Sequence, residues 1–579
     1  MTNIIKKSGQ KIAKRASRFS RKASETGKEH VRENLINRIS HIRDVRLLVL
    51  EWSLLVLVVI LLASVQSFWY SDSYSVSSFK TGGTYIEGAL GKVNSLNPLF
   101  ASTNSEKTLS KLLFSTLMEN DFSGHVGAGL ARYIRSNDAG DSWAIMLRDN
   151  LKWSDGEPLT NEDILFTVDL IQNPKVSSNY SQILSGVEVS ESATGEIVFK
   201  LSASYADFDT VLNFPILPKH VLADTDPALL LESDFSKKPV SSGAFSFNAT
   251  QTIGSEGESV VYLIANENYY KGKPFLVNFA IHAFLDKEAI ITAINSGTIT
   301  ATAELSSKDG EKITSKSVNE LQTTVNSGAF AFLNTKSQLL SNVEVRRAIQ
   351  KGIDVQKIRE NAKSSIPLNH PILHSQVDSL NWQKLPDLDV DSAKEAINKA
   401  GINSESEPLS IVTINEGNLP EVAESLSEQL RELGFNVNMI AYDYSQEFIS
   451  NVINTRSYDI FVYEVELGPV PELFSYYHSS QTGSSGLNFS NYNNTITDDI
   501  ILASRETTDQ TLRNAKFESF IKNWISDVPA IALYQPTTSY FYNKSVRTFS
   551  EDLDLVVQTD RFDDVIYWAT EKTSLNRTP

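Results

Sequence analysis

Leu147-Arg-Asp-Asn-Leu-Lys-Trp-Ser-Asp-Gly-Glu-Pro-Leu-Thr-Asn-Glu-Asp163 is the most informative stretch of this 579-residue chain. It reads as the end of a strand (Trp143–Leu147), a turn, and the start of a helix. Asp155-Gly156 supplies the permissive backbone that a tight turn needs. Thr160 stands three residues before Asp163, the spacing at which two polar side chains can satisfy each other's free N–H groups at a helix start. A helix over Ile164–Leu170 is therefore expected. Trp153 reads as core, with Asp155 and Gly156 as turn residues, so the stretch has a structural role.

Outward from it, helical and strand-like patterns alternate. Leu109, Leu112, Leu113 and Leu117 recur at helix spacing within Ser105–Met118. Glu188–Val189 and Ile197–Leu201 flank Thr194-Gly195 as a hairpin. Val343–Ile358 reads as one amphipathic helix. Ser392–Ala400 reads as another, capped by Asp391 and stopped by Gly401. Leu409–Thr413, Glu421–Leu433 and Phe435–Ile440 form a strand–helix–strand unit, which implies a partly parallel sheet. Tyr458–Val462 is a further strand. No repeat of 20–50 residues is visible. The body is an α/β protein with several lobes.

Charge is distributed unevenly. The chain has a net charge of −17, which argues against nucleic acid as a partner. Residues 1–46, however, hold 13 Lys/Arg and four acids, whereas residues 71–579 hold 40 basic and 65 acidic residues. Between them, Leu47–Tyr70 is apolar except for Glu51, long enough to cross about 30 Å of hydrocarbon. Phe68, Trp69 and Tyr70 would form an aromatic belt at its far end. The basic flank places the N-terminus in the cytoplasm and the acidic body outside. The expected division is a basic cytoplasmic tail (1–46), a single-pass membrane anchor (47–70) and a Ser-rich linker (71–81). A cleavable signal peptide is the alternative, but the residues before the apolar core are too many for its usual basic region. The tail orients the chain or lies as a basic helix on anionic lipid.

The chain contains no cysteine, which removes disulfides, thiolate nucleophiles, Cys-ligated metals and lipid attachment through sulfur. It has no phosphate loop, zinc-protease helix or nucleophile elbow. His370-Pro-Ile-Leu-His374 has metal-helix spacing, but Pro371 spoils the helix. Asp387, Asp389 and Asp391 resemble a calcium loop, yet Ser392 and Asn398 occupy its two defining positions. No catalytic residue, metal site or cofactor is expected. The segment Tyr463-Glu-Val-Glu-Leu-Gly-Pro-Val-Pro-Glu-Leu-Phe474 follows a strand, where loops of open α/β sheets line ligand crevices. Glu464, Glu466 and Glu472 there either receive a cationic group or decorate a Pro-rich turn.

In order along the chain, these segments resemble family 5 of the ABC-transporter solute-binding proteins, the peptide- and nickel-binding class. The resemblance rests on Gly82-Gly83-Thr84-Tyr85, Ser95-Leu-Asn-Pro-Leu99, the 147–163 stretch, Ile216-Leu-Pro-Lys-His-Val-Leu222 and Pro239 to Phe245. It continues through Asn266 to Pro274, Ala293 to Gly297, Asn342 to Ala348, His478 to Gln481 and Asn488 to Tyr492. It implies a type II periplasmic-binding-protein fold with two lobes and an extra subdomain. Lobe I would be 82–113, 241–333 and 533–579, the subdomain 114–240, and lobe II 334–532. It implies a non-enzymatic, membrane-anchored receptor that captures oligopeptides and delivers them to ABC permease subunits. A peptide-signal sensor on the same fold, or an extracellular hydrolase, are the alternatives. Peptide binders of the family carry an acid in the loop after the Tyr-Asp strand, here Tyr458-Asp459. Gly468 or Val470 occupies that place, so either Glu464 or Glu466 would substitute or the ligand is not an ordinary peptide. The implied ligand-binding residues are Asn104, Ser105, Tyr463, Glu464, Glu466, Gly468 and Tyr534.

Overall fold

A computed structural model describes residues 46–120, 124–254, 257–362, 366–377, 379–402, 407–484, 486–547 and 554–576. The expected basic tail therefore lies, but for its last residue, outside the described residues. One compact unit holds the N-terminal helix and a strand pair; the other runs Phe79–Glu571.

In the first unit, a helix spans Arg46–Tyr74. Its described side chains, Leu50 to Gln66, are all exposed. Among the described residues no helix is long and apolar enough to cross a membrane. The described apolar stretch is shorter than the Leu47–Tyr70 segment read from the sequence. The expected linker is not irregular: the helix runs to Tyr74, and Ser75–Lys80 is a strand in a two-stranded sheet with Glu571–Asn576.

The second unit contains three main sheets. An eight-stranded sheet has the spatial order Asp554–Leu555, Val318–Val325, Thr537–Asn543, Ala301–Thr302, Thr84–Leu90, Asn278–Phe284, Glu258–Ala265, Phe245–Ile253. A five-stranded sheet has the order Val437–Tyr442, Leu409–Ile414, Ile460–Glu466, Ser327–Leu333, Ala530–Tyr534. A four-stranded antiparallel sheet, from Ala131–Ser136 to Glu188–Glu191, forms the subdomain.

Two large hydrophobic cores underlie these sheets, with a smaller third around Phe284, Ile294 and Phe541 against the eight-stranded sheet. One packs Phe330 and Phe332 against Leu426, Phe461 and Trp524, and belongs to the five-stranded lobe. The other joins Tyr85, Phe279 and Trp568 of the eight-stranded lobe to Trp153, Phe199 and Phe214 of the subdomain. Lobe I and the subdomain therefore share one body, and lobe II is the other. Ser327–Leu333 is buried along its whole length in lobe II, whereas the sequence boundary places it in lobe I. A fully apolar strand is stable only with both faces covered and both edges paired. The chain crosses between the lobes at Asn326 and again at Gln535-Pro536.

Local expectations hold with instructive differences. The helix Asn161–Gln172 starts with the Thr160–Asp163 capping box. The hairpin pairs Glu188–Glu191 with Ile197–Lys200. The strand–helix–strand unit is Leu409–Ile414, Leu419–Glu432 and Val437–Tyr442, with the strands parallel. The helix expected over Ser105–Met118 runs only Asn104–Leu113. Ser242 and Gly243 donate their N–H groups to the Leu113 carbonyl, and the Ser242 hydroxyl accepts from the Ser115 N–H. These tertiary bonds draw Ser115 out of the helix. Val343–Ile358 is two helices, Val343–Gly352 and Val355–Asn361, because Ile353 is extended and Asp354 caps the second. The helix after the Asp387–Asp391 segment is Val390–Lys399, with Asp389 rather than Asp391 at its cap.

Candidate functional site

Between the lobes lies a cavity of about 810 Å³, within the range of ligand sites. Five of the seven residues expected from the sequence line it: Asn104, Tyr463, Glu464, Glu466 and Tyr534. Ser105 and Gly468 do not.

Asn104 is the first residue of the Asn104–Leu113 helix, held there by a capping box between Thr103 and Glu106. Its amide donates to Glu304 Oε2 at 2.8 Å. Ser105, one residue on, points away from the cavity and is fully buried, its hydroxyl without a partner among the described residues. A helix turns 100° per residue, so neighbours cannot share a face.

Tyr463 and Glu464 stand near the end of the Ile460–Glu466 strand. Tyr463 stacks on Phe461 with ring centroids 4.8 Å apart, and burial pushes its phenol up to about 12. Glu464 is half-buried and accepts a 2.8 Å bond from the Ser327 hydroxyl. Burial pushes its carboxyl above the usual range; the Ser327 bond opposes this, and Glu416 and Glu466 add to the rise. Glu466 is exposed at the strand end, and its backbone carbonyl accepts from the Tyr476 hydroxyl at 2.7 Å. Tyr534 is 4% exposed and closes the floor where the chain crosses to lobe I.

Gly468 lies outside the cavity wall, beside the crossing. Its φ of +71° is left-handed, which glycine adopts without penalty. Its carbonyl accepts from Asn326 Nδ2 at 3.0 Å and Gln376 Nε2 at 3.1 Å. The Gly-Pro loop thus pins the strand crossing.

Two further carboxylates line the cavity. Glu416 follows the Leu409–Ile414 strand and is exposed. Its place at the carboxyl end of a parallel strand was a usable signal. Glu304 comes from lobe I, where burial pushes its carboxyl up against the opposing Asn104 bond and the Arg561 charge. Nothing local marks it in the sequence. Among the described lining residues, Lys287 is the single Lys or Arg, and it already lies 3.7 Å from Asp309. The wall therefore presents Glu304, Glu416, Glu464 and Glu466 to an occupant, with aromatic faces from Tyr444, Tyr463 and Phe489 beside them. Such a wall favours a cation and disfavours a free carboxylate. Among the described residues, no group of three or more His, Cys, Asp or Glu is placed to hold a metal ion.

Known proteins share this architecture. Residues 125–486 match the family described as "Bacterial extracellular solute-binding proteins, family 5 Middle". The oligopeptide-binding protein AppA of Bacillus subtilis is 25% identical over 495 residues, 80% of this chain and 88% of that protein. Its structure with a nonapeptide superposes with a TM-score of 0.69 at 21% identity, covering 85% of this chain and 99% of AppA. The ABC transporter substrate-binding protein CtaP of Listeria monocytogenes gives a TM-score of 0.75 at 23% identity, over 85% of this chain and all of CtaP. NikZ of Campylobacter jejuni, solved with Ni(L-His), gives 0.70 at 21% identity, over 84% and 99%. The two-lobed α/β frame, the cleft between its sheets and the family match over most of that frame lead to one conclusion: the chain belongs to family 5 of the bacterial extracellular solute-binding proteins.

Proposed function

We propose that this protein is a membrane-anchored extracytoplasmic receptor that captures oligopeptides for an ABC importer. The observation that carries the reading is the interlobe cavity of about 810 Å³ with four carboxylates and one lysine on its wall. A peptide brings a cationic amino terminus and a backbone able to extend along strand edges. Glu464 is the residue we assign to the cationic group. It is half-buried and its one described hydrogen bond comes from a neutral hydroxyl, so an arriving cation gains a charge-assisted bond in place of water. The oligopeptide-binding name of the B. subtilis relative and the nonapeptide in its structure support the same ligand class.

Anchoring rests on the apolar run Leu47–Tyr70 and the basic residues before it. The exposed apolar helix side chains from Leu50 to Gln66 support it, since such a face needs lipid or protein to cover it. With no cysteine for a lipid anchor, this helix would tether the body, and ABC permease subunits would be its partners.

The test is mass spectrometry of what co-purifies with the full chain and is released by denaturation. Short peptides rich in Lys or Arg are expected. A single sugar, or a small molecule without a cationic nitrogen, would sink the peptide assignment.

A further inference from the structure

The lobes touch at a second place, away from the cavity. The subdomain loop around Tyr205–Asp207 reaches across to two helices of lobe II, Thr495–Glu506 and Gln510–Asp527. The Arg505 guanidinium lies 4.2 Å from the Tyr205 ring centroid on one side and 4.5 Å from that of Phe474 on the other. The Ala206 N–H donates to the Arg505 carbonyl at 2.7 Å. Arg513 Nη1 meets Asp207 Oδ1 at 2.5 Å, with both side chains mostly buried.

Both sides of this contact are rigidly mounted. Phe208, next to Asp207, is 2% exposed and packs on Trp143 and Phe199 in the core shared by subdomain and lobe I. The Tyr205 N–H is held by the Gly140 carbonyl at 3.0 Å. On the other side, Ile501 and Phe517 sit in the separate core of lobe II. Any hinge motion of one body against the other must therefore break this contact, because neither loop nor helix can follow alone. None of Tyr205, Asp207, Arg505 and Arg513 lines the 810 Å³ ligand cavity; Tyr205 and Arg505 instead border a second cavity of about 1080 Å³ between the subdomain and lobe II.

We infer that Tyr205, Asp207, Arg505 and Arg513 form a clasp that holds the two bodies together independently of cargo. The receptor then samples its closed form before a ligand arrives. Ligand affinity is tuned by residues that never touch the ligand, since apparent affinity scales with the fraction already in the binding-competent form. The inference depends on two bodies joined at two crossings, not on what the cavity holds.

The test uses the full chain in detergent, exhaustively dialysed, with residual ligand checked by mass spectrometry. The absence of native cysteine makes Lys175→Cys with Lys522→Cys a clean pair for spin labels, one on each body and both exposed. Pulsed dipolar distances should show a short-distance population without ligand. Its ratio to the long-distance population should fall about fivefold in Arg505→Met and again in Asp207→Asn, the scale of one lost cation–π or buried ion-pair interaction. Asp207→Asn preserves shape, and unchanged melting temperatures identify both variants as folded. A single long distance in the ligand-free chain, or distributions unchanged in both folded variants, would overturn the clasp. A failed peptide assignment would leave these distances untouched.

Discussion

At the residue scale, Glu464 combines a structural cost with a functional use. Burial raises its carboxyl above the ordinary value, so the folded chain holds that proton more tightly than the unfolded chain. Its burial penalty is absent below the unfolded value and grows as pH rises through the folded one. Glu464→Gln should therefore stabilise the ligand-free protein at pH 7, and not at pH 4. Chemical denaturation at the two pH values measures this. The same variant should weaken binding of the co-purifying cationic peptide about tenfold or more, read by titration calorimetry. In the wild type, affinity should fall as pH drops through the carboxyl range, with protons released on binding; Glu464→Gln should flatten that dependence. Ser105→Ala should leave affinity unchanged, because Ser105 lies outside the cavity wall.

Elements are locked by backbone capture more than by propensity. Asp163 shows how the 147–163 stretch works. Its carboxylate accepts from the Thr160 and Lys219 N–H groups, each at 2.8 Å, while 3% exposed. The Trp153 indole lies 3.4 Å away as a further donor. One acid thereby ties the helix start to the Ile216–Leu222 segment, the second strong sequence match. Asp163→Ala should cost about 2 kcal/mol, read by denaturant melts. Gly243 is equally constrained. A Cβ there would sit 2.5 Å from the Leu112 carbonyl oxygen and 2.8 Å from the Phe114 nitrogen. Backbone cannot yield as a side-chain tip does, so Gly243→Ala should cost about 3 kcal/mol by the same measurement.

On the scale of the whole molecule, two large cores are joined by two chain crossings. The Gly468 turn, Asn326 and Gln376 brace one crossing, and Gln535 braces the other through a 2.9 Å bond to the Val325 carbonyl. The cavity wall takes Glu304 from lobe I and Glu416 and Glu464 from lobe II, so it is acidic only with both lobes present. Deleting residues 47–70 tests the anchor at this scale. The truncated chain should leave the membrane fraction on cell fractionation, whereas the full chain should stay with it.

The sequence by itself determined the α/β class, the capping box at Thr160–Asp163, the parallel strand–helix–strand unit and the family. Each depends on residues close in the chain, where spacing maps directly onto geometry. It also singled out Tyr463 and Glu464, which line the interlobe cavity, because a strand end before a Gly-Pro loop is a local signal. The tertiary structure alone decided that Glu304 joins them from another lobe. It likewise moved Ser327–Leu333 into lobe II, ended the Asn104–Leu113 helix early and set Arg505 between two rings. Those outcomes depend on partners scores to hundreds of residues distant, and side-chain burial and backbone capture across such separations leave no periodicity for a sequence to show.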